Sequence, residues 1–171
     1  MRKESRAMDA KWALDVMHKA PYITVSMTDE NGQAYGLPLT LASADDSHWY
    51  FHCALEGKKL DAIRKNPNVC LSAVTKCAPT IGPNDGSFTL QYQSAVAFGK
   101  AEIVENDAEK IEALRIICER FLPNHMDAFQ ASIERSLSRT AVVRITLTEP
   151  PTGKRKQYDK EGNELKYGRL E

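Results

Sequence analysis

Hydrophobic and polar residues alternate along several stretches of the chain, and elsewhere the apolar positions recur at helical spacing. Alternation with a period of two predicts strands, whereas apolar residues three and four apart predict helices. Strands are therefore expected at residues 22–27, 34–42, 48–53, 68–76, 88–105 and 140–148. Helices are expected at residues 9–20, 60–66, about 107–121 and about 125–137. The fifth strand, 88–105, is open to a second interpretation as two strands bent at Gly99.

Turn-forming residues separate these elements. Asn31-Gly32 suits a hairpin turn, because both residues tolerate a positive φ. Residues 44–47 form a second turn, and residues 77–87, rich in proline and glycine, are expected to form a loop. Pro38 lacks a backbone N–H, so its strand must lie at a sheet edge, at a bulge or against a ligand.

The fold class predicted from this pattern is mainly β (α+β). About six antiparallel strands with regularly spaced turns indicate a small β-barrel with peripheral helices. No linker divides the sequence, so residues 1–171 are expected to form a single domain. Within it, residues 1–20 hold the N-terminal helix, and residues 150–171 form a polar C-terminal arm. That arm either docks on a partner chain or is a loose tail.

Composition and charge narrow the function classes. The chain has 23 basic and 23 acidic residues, and this balance argues against a nucleic-acid partner. No apolar run approaches the roughly 20 residues that span a bilayer, and no secretory signal is recognisable, so a cytoplasmic location with reduced cysteines is expected. The histidines lack zinc-ligand spacing and no metal is predicted. Rossmann, P-loop and nucleophile-elbow motifs are absent from the sequence.

The segment YFHCALEGKKLDAIRKNP, residues 50–67, carries the most suggestive chemistry. Alternation on the strand places His52 on the face opposite Cys53. Gly57 permits a tight turn, after which a helix begins beside Lys58 and Lys59. Free N–H groups at a helix start favour anions, so a phosphate is a natural ligand for this corner. The alternatives are that both lysines are simply solvated, and that His52 is a hydrogen-bonded histidine inside the barrel.

Several motifs in order resemble one group of flavoproteins, the 5-nitroimidazole-resistance-like branch of the pyridoxamine 5′-phosphate oxidase-related proteins. The residues that carry the resemblance are 1–3, 37–39 (LPL), 50–61 (YFHCALEGKKLD), 66–67 (NP), 92–101 (YQSAVAFGKA) and 152–155 (TGKR). They cover most of the chain. The resemblance implies a six-stranded FMN-binding split β-barrel that forms a homodimer, with FMN at the subunit interface.

Carried over by position, the resemblance also implies site residues. Lys58 and Lys59 would contact the FMN phosphate, and Gln93 and Ser94 would reach the flavin, with the partner chain as one possible source. His52 is the candidate catalytic residue. The full set of implied cofactor-binding residues is Leu37, Pro38, Leu39, Thr40, His52, Cys53, Ala54, Lys58, Lys59, Gln93 and Ser94.

This chain departs from the family pattern at three of these motif positions. Cys53 replaces a serine and weakens one hydrogen bond, Gln93 replaces an arginine and removes a fixed charge, and Ala95 replaces a valine. The implied function is an FMN-dependent oxidoreductase of small acceptors such as nitro-compounds. The alternative is a non-catalytic FMN- or heme-binding protein for storage or sensing. A nucleic-acid binder on a small barrel is disfavoured by the zero net charge.

Overall fold

A computed structural model describes residues 3–81 and 88–156 of the chain. The helices are α1 (Ala10–Lys19), α2 (Lys58–Lys65), α3 (Asp107–Phe121) and α4 (Phe129–Ser136), with short 3₁₀ turns at Glu4–Arg6, Pro123–Ala128 and Leu137–Arg139. The strands are β1 (Ala7–Met8), β2 (Ile23–Thr28), β3 (Ala34–Leu39), β4 (His48–Cys53), β5 (Asn68–Ile81), β6 (Phe88–Val104), β7 (Ala141–Leu147) and β8 (Thr152–Lys156). Across these residues, no helix combines the length and hydropathy needed to cross a bilayer.

Six antiparallel strands form the barrel. β5 pairs with β2 and β6, β2 also pairs with β3, and β7 pairs with both β6 and β4. A single bridge between Ala42 and Tyr50 connects the chain after β3 to β4, which closes the ring. The short strands β1 and β8 lie outside the ring, with β8 paired to β6. The fold is therefore the expected split barrel, extended to eight strands by two elements that the hydropathy pattern did not reveal.

The barrel interior follows the predicted alternation. On β4, Trp49 and Phe51 are buried, and Ile145 from β7 joins them in one apolar cluster. Helix α1 packs into the same cluster. Asp9 caps the N-terminus of this helix, because its Oδ1 accepts a hydrogen bond from the backbone N–H of Trp12 at 2.8 Å. This N-cap satisfies a donor that the helix itself cannot pair.

Helices α3 and α4 cover the outer face of β4 and β7. Asn106 caps α3 by accepting from the Glu109 N–H at 3.0 Å. The Arg120 guanidinium, near the end of α3, donates to the carbonyl oxygens of Met17, His18, Ala20 and Leu41 at 2.5 to 3.0 Å. It therefore ties α3 to the end of α1 and to the β3–β4 connection.

One predicted boundary needs correction. Residues 77–81 continue β5 rather than entering a loop, because they pair with the start of β6 as far as Ile81 opposite Phe88. Pro79 is tolerated there because β2 pairs with β5 only up to Ala73, which leaves that edge of the strand without a ladder to disrupt. Of the two interpretations of residues 88–105, the structure shows the single long strand, which continues through Gly99.

Part of the predicted C-terminal arm forms a strand that pairs within its own chain. Thr152–Lys156 form β8, so this part of the arm packs against β6 and β1. The remainder of the arm, residues 157–171, and the motif residues 1–2 lie outside the described residues, as do residues 82–87. The single-domain interpretation of 1–171 stays a prediction.

Candidate functional site

The barrel opens between β3 and β4. The bridge pairs Ala42 with Tyr50, and continuing its antiparallel register places Thr40 level with His52 and Pro38 level with Ala54. No ladder joins these positions in the described structure, because β3 otherwise pairs only with β2 and β4 only with β7. Beyond the bridge, these two strand edges therefore form no ladder with each other in the described residues. We call this opening the β3–β4 cleft.

Seven of the predicted site residues lie along this cleft. Leu37–Thr40 follow one edge and His52, Cys53 and Ala54 follow the other. Pro38 sits on a strand that has one ladder only, so the predicted edge position is confirmed. Along β3, Leu37 and Leu39 are half-buried while Pro38 is exposed.

The start of α2 lies at the end of the cleft and has no side-chain cap. Gly57 occupies the N-cap position with φ 132°, and its carbonyl accepts from the Leu60 N–H at 2.9 Å. A Cβ on Gly57 would meet no atom within 4 Å, so the space beside the turn is open. The positive φ favours glycine, and the uncapped N–H groups at the helix start carry partial positive charge.

Lys58 already has an anionic partner. Its Nζ lies 2.9 Å from Oδ2 of Asp29, in the β2–β3 turn, and 4.9 Å from the centroid of the Tyr35 ring. The other carboxylate oxygen of Asp29 accepts from the N–H groups of Asn31 and Gln33. The hydrogen bond from Lys58, followed by the one from Gln33, lowers the pKa of Asp29, and Asp29 in turn raises the pKa of Lys58.

Lys59 has no carboxylate partner among the residues that the structure describes. Its Nζ lies 5.8 Å from the centroid of the Phe51 ring, and its charge acts on His52 and Cys53. The His52 side chain is exposed at the surface but partly desolvated by the atoms around it, and this desolvation, followed by repulsion from Lys59, lowers its pKa. Burial raises the pKa of the Cys53 thiol, with Lys59 opposing that change. At neutral pH this corner therefore combines a cation that no described carboxylate pairs, a neutral imidazole and a protonated thiol.

His52 does not lie inside the barrel. It shares the outer face of β4 with Tyr50, which packs against the α3–α4 cluster, and its own side chain is exposed. The interpretation of His52 as an interior hydrogen-bonded histidine is therefore wrong. Its inward-facing neighbours, Phe51 and Cys53, pack with the core instead.

Gln93 and Ser94 lie away from the cleft of their own chain. They belong to β6, which the ring separates from β3 by β5 and β2, and from β4 by β7. The shorter route, two steps to β4, spans about 10 Å, since neighbouring strands lie about 4.8 Å apart. Gln93 Oε1 accepts from the Thr75 hydroxyl at 3.3 Å, beside a β5 bulge between Val74 and Lys76.

Asp29 and Tyr35 are contributors that the sequence pattern did not indicate. Asp29 lies in the turn between β2 and β3, and nothing local in the sequence connects it to Lys58, 29 positions later.

Within residues 3–81 and 88–156, no group of three or more His, Cys, Asp or Glu side chains could hold a metal ion.

A family model for pyridoxamine 5′-phosphate oxidase matches residues 9–154, which is most of the chain and includes the cleft and the start of α2. The chain belongs to the pyridoxamine 5′-phosphate oxidase family. The resemblance seen in the sequence motifs is therefore confirmed at the family level.

Solved structures share the fold of this pyridoxamine 5′-phosphate oxidase family member. A provisionally assigned 5-nitroimidazole antibiotic resistance protein from Bacteroides thetaiotaomicron is 23% identical, with a TM-score of 0.71 over 86% of this chain and 85% of its own. A flavocytochrome from Azotobacter vinelandii is 18% identical, with a TM-score of 0.81 over 100% and 83%. An FAD- and heme-binding protein from Mycobacterium smegmatis is 18% identical, with a TM-score of 0.74 over 86% and 71%. The comparison with curated proteins gives no match.

Proposed function

We propose that this protein is an FMN-dependent oxidoreductase that reduces small acceptors such as nitro-compounds. The observation that carries the proposal is the β3–β4 cleft, where two unpaired backbone edges lead to an uncapped helix start and to Lys59, which no described carboxylate pairs. A planar ring needs flanking donors and acceptors, and a phosphate needs cations and N–H groups. Both sets of groups meet here in a member of the pyridoxamine 5′-phosphate oxidase family.

The phosphate would sit at the start of α2. Lys59 offers a charge that no carboxylate in the described part of the chain neutralises, and the open side of Gly57 allows close backbone approach. Lys58 would have to share its ammonium between the phosphate and Asp29. Cys53, as a protonated thiol, is at most a weak donor to the ligand.

The flavin ring would lie along the cleft. The backbone groups of Leu37–Thr40 and of His52–Ala54 would supply its hydrogen bonds, and the half-buried side chains of Leu37 and Leu39 would exclude water. Bound FMN supplies the two-electron redox chemistry. His52 is exposed and neutral near pH 7, so its imidazole can exchange protons directly with solvent and hold one hydrogen bond to ligand or substrate.

A second copy of the chain would complete the site. The outer face of β2, β5 and β6 exposes Val74 and Phe98, each 48% accessible, on strands whose inner faces line the core. Pairing two such faces would bury these side chains. It would also bring Ser94 of the partner subunit, with Gln93 beside it on β6, towards the cleft. We further propose a cytoplasmic location, where all four cysteines would stay free thiols, as they are here.

A non-catalytic flavin or heme binder is the second candidate. The observation in its favour is the similarity of fold to a flavocytochrome and to an FAD- and heme-binding protein. The residues of the cleft offer no reason of their own to prefer heme over flavin, because His52 is the one histidine along its two edges.

The absorption spectrum of the purified protein tests both candidates. A flavin band, or its appearance on titration with FMN, is expected; a Soret band alone would favour heme, and a colourless protein that binds neither would refute both. The flavin-loaded protein is then reduced with NADH or dithionite and mixed with a panel of nitro-compounds. Rapid reoxidation over the rate in buffer indicates an enzyme, and no acceleration indicates a binder.

A further inference from the structure

The β3–β4 cleft is held differently at its two ends. At one end the backbones of Ala42 and Tyr50 form two hydrogen bonds, at 2.8 and 3.0 Å. At the other end the ion pair of Asp29 and Lys58, together with the contact of Lys58 with the Tyr35 ring, connects the β2–β3 turn to the start of α2. This ion pair lies at the proposed phosphate position, so Asp29 and a cofactor would draw on the same ammonium group.

Asp29 is the fixed partner of the ion pair. Its Oδ1 accepts hydrogen bonds from the N–H groups of Asn31 and Gln33 at 3.0 and 2.9 Å, and its own N–H donates to the Gln33 carbonyl at 2.9 Å. The Asp29 side chain is 6% exposed, whereas that of Lys58 is 56% exposed and has a flexible stem. Turning the carboxylate away would leave backbone donors unpaired, so an incoming anion can move Lys58 more easily than Asp29.

The side chains around the start of α2 carry little net positive charge. Asp29 offsets Lys58, and the lowered pKa of His52 and the raised pKa of Cys53 keep both groups neutral near pH 7. Lys59 retains a charge that no carboxylate within residues 3–81 and 88–156 pairs, next to the partial positive charge of the uncapped helix start. A singly charged group can therefore be matched by Lys59 alone, while a doubly charged group needs Lys58 as well.

Three further carboxylates lie close to this position in the sequence. Glu30, Glu56 and Asp61 are exposed, and Asp61 pairs with Arg64 at 2.9 Å. Water and salt screen charges at exposed positions, so these groups act on an anion at the start of α2 less than the enclosed carboxylate of Asp29 does. Glu30 adjoins Asp29 in the same turn and offers a control that removes the same charge without breaking the ion pair.

We propose that Asp29 is a specificity-determining residue of the flavin site, because its carboxylate competes with the phosphate of the cofactor for Lys58. The competition reduces the advantage of a doubly charged phosphate over a singly charged one. The phosphate monoester of FMN is mostly a dianion at pH 7.5, since its second pKa is about 6, whereas each phosphate in the diphosphate linkage of FAD carries one charge. The chain should therefore discriminate less between FMN and FAD than a site with two unshared lysines. This inference rests on the proposed flavin function.

Isothermal titration calorimetry with FMN, FAD and riboflavin, at pH 7.5 and constant ionic strength, tests the proposal. Asp29→Asn keeps an oxygen that can accept from the turn N–H groups but releases Lys58. It should raise the affinity for FMN about tenfold and that for FAD about threefold, because the coulombic energy scales with the charge of the phosphate. Riboflavin affinity should not change. Glu30→Gln should alter FMN affinity by less than about twofold.

A double-mutant cycle shows whether the effect passes through Lys58. In the wild type, Lys58→Ala should lower FMN affinity only about two- to threefold, because Asp29 already holds that ammonium. In the Asp29→Asn background the same substitution should lower it about tenfold, as much as Lys59→Ala does. A variant that acted only by disturbing the turn would show no such dependence on Lys58. Circular dichroism and thermal unfolding without ligand establish that each variant folds.

The outcomes separate this role of Asp29 from the flavin function itself. A wild-type protein that binds no flavin would refute the proposed function, and the competition with it. Four results would overturn the role of Asp29 while leaving flavin binding in place. They are an unchanged or lower FMN affinity in Asp29→Asn, equal gains for FMN and riboflavin, equal gains for Asp29→Asn and Glu30→Gln, and additive effects in the cycle.

Discussion

Among single residues, Asp29 has the largest influence on the charge of the proposed phosphate position. Two adjacent lysines look equivalent in the sequence, yet Lys58 is held 2.9 Å from a carboxylate that is only 6% exposed, and Lys59 is not. The two cations therefore differ in what they can offer an incoming anion. A local sequence pattern predicted the anion site but could not distinguish them, because the turn that carries Asp29 reaches Lys58 only through the fold.

Lys59→Ala should weaken FMN binding more than Lys58→Ala does. We expect a loss of about tenfold for Lys59, since it removes an unshared charge-assisted contact to phosphate, and a smaller loss for Lys58. Quenching of flavin fluorescence measures both affinities. Riboflavin, which lacks the phosphate, serves as the matched ligand, and its affinity should hardly change. Equal losses for FMN and riboflavin would contradict the phosphate assignment.

Asp29 should also make stability depend on acid pH. Its pKa is lowered in the folded protein, so the stabilisation is fully present above the unfolded value near 3.9 and is lost as the pH falls through the folded value. Urea unfolding at a series of pH values from 6 down to about 2.5 measures this dependence. We expect the wild type to lose more stability over that range than Asp29→Asn loses. Asp127→Asn, at an exposed position, should follow the wild type, and parallel curves for all three proteins would refute the prediction.

Among the elements, those with a local signature were predicted well. The helix expected from residue 9 is capped by Asp9, β4 matches its predicted range, residues 48–53, and the Asn31-Gly32 turn joins β2 to β3, although only Gly32 of that pair takes a positive φ. Elements that depend on distant partners were missed. β1 has only two residues and β8 is polar; β1 is a strand only through pairing with β8, and β8 pairs with β1 and with β6.

The same limit applies to the site. The candidate site residues on β3 and β4 were predicted from motif order, but the cleft between them depends on a ladder that stops after one bridge. Nothing in the alternation along β3 or β4 says which neighbour each strand lacks. Gln93 and Ser94 likewise could be assigned to the flavin from the motif, while their separation from β3 required the sheet order.

Arg120 should be the most stabilising charged residue of α3. Its guanidinium donates to four carbonyl oxygens in two segments, the end of α1 and the β3–β4 connection, so Arg120→Met would leave several of them unpaired and cost about 3 kcal/mol of unfolding free energy. Arg115→Met is the matched control, because Arg115 lies on the same helix, 4.6 Å from the Phe129 ring, and contacts no backbone carbonyl in the described residues. Denaturant unfolding compares them, and similar losses would contradict this role for Arg120.

On the scale of the whole molecule, the proposed dimer and the proposed cofactor site are one hypothesis. The cleft belongs to one chain, whereas Ser94, Val74 and Phe98 lie on an outer face of the sheet that a second chain would bring to it. Assembly should therefore be linked to flavin affinity, since a ligand that binds the assembled form favours it by mass action.

Phe98→Glu should produce a monomer with weakened FMN binding. A charge at the centre of the proposed interface cannot be buried without a partner, so dissociation is the expected response. Light scattering after size-exclusion chromatography gives the mass, and FMN titration gives the affinity. Leu122→Glu, which also alters an exposed apolar residue but lies after α3, should keep the wild-type mass and affinity. A monomeric wild type, or a dimeric variant, would refute the proposed interface.

The position of β7 determines when the barrel can form during synthesis. β7 lies between β4 and β6, and both of those strands leave the ribosome before it. Until Ala141–Leu147 emerges, one edge of β4 and one edge of β6 lack the neighbour that closes the ring, although most of the core side chains have already been made. Completion of the barrel is therefore a late, long-range event, and the nascent chain presents unpaired strand edges until its last fifth has been synthesised.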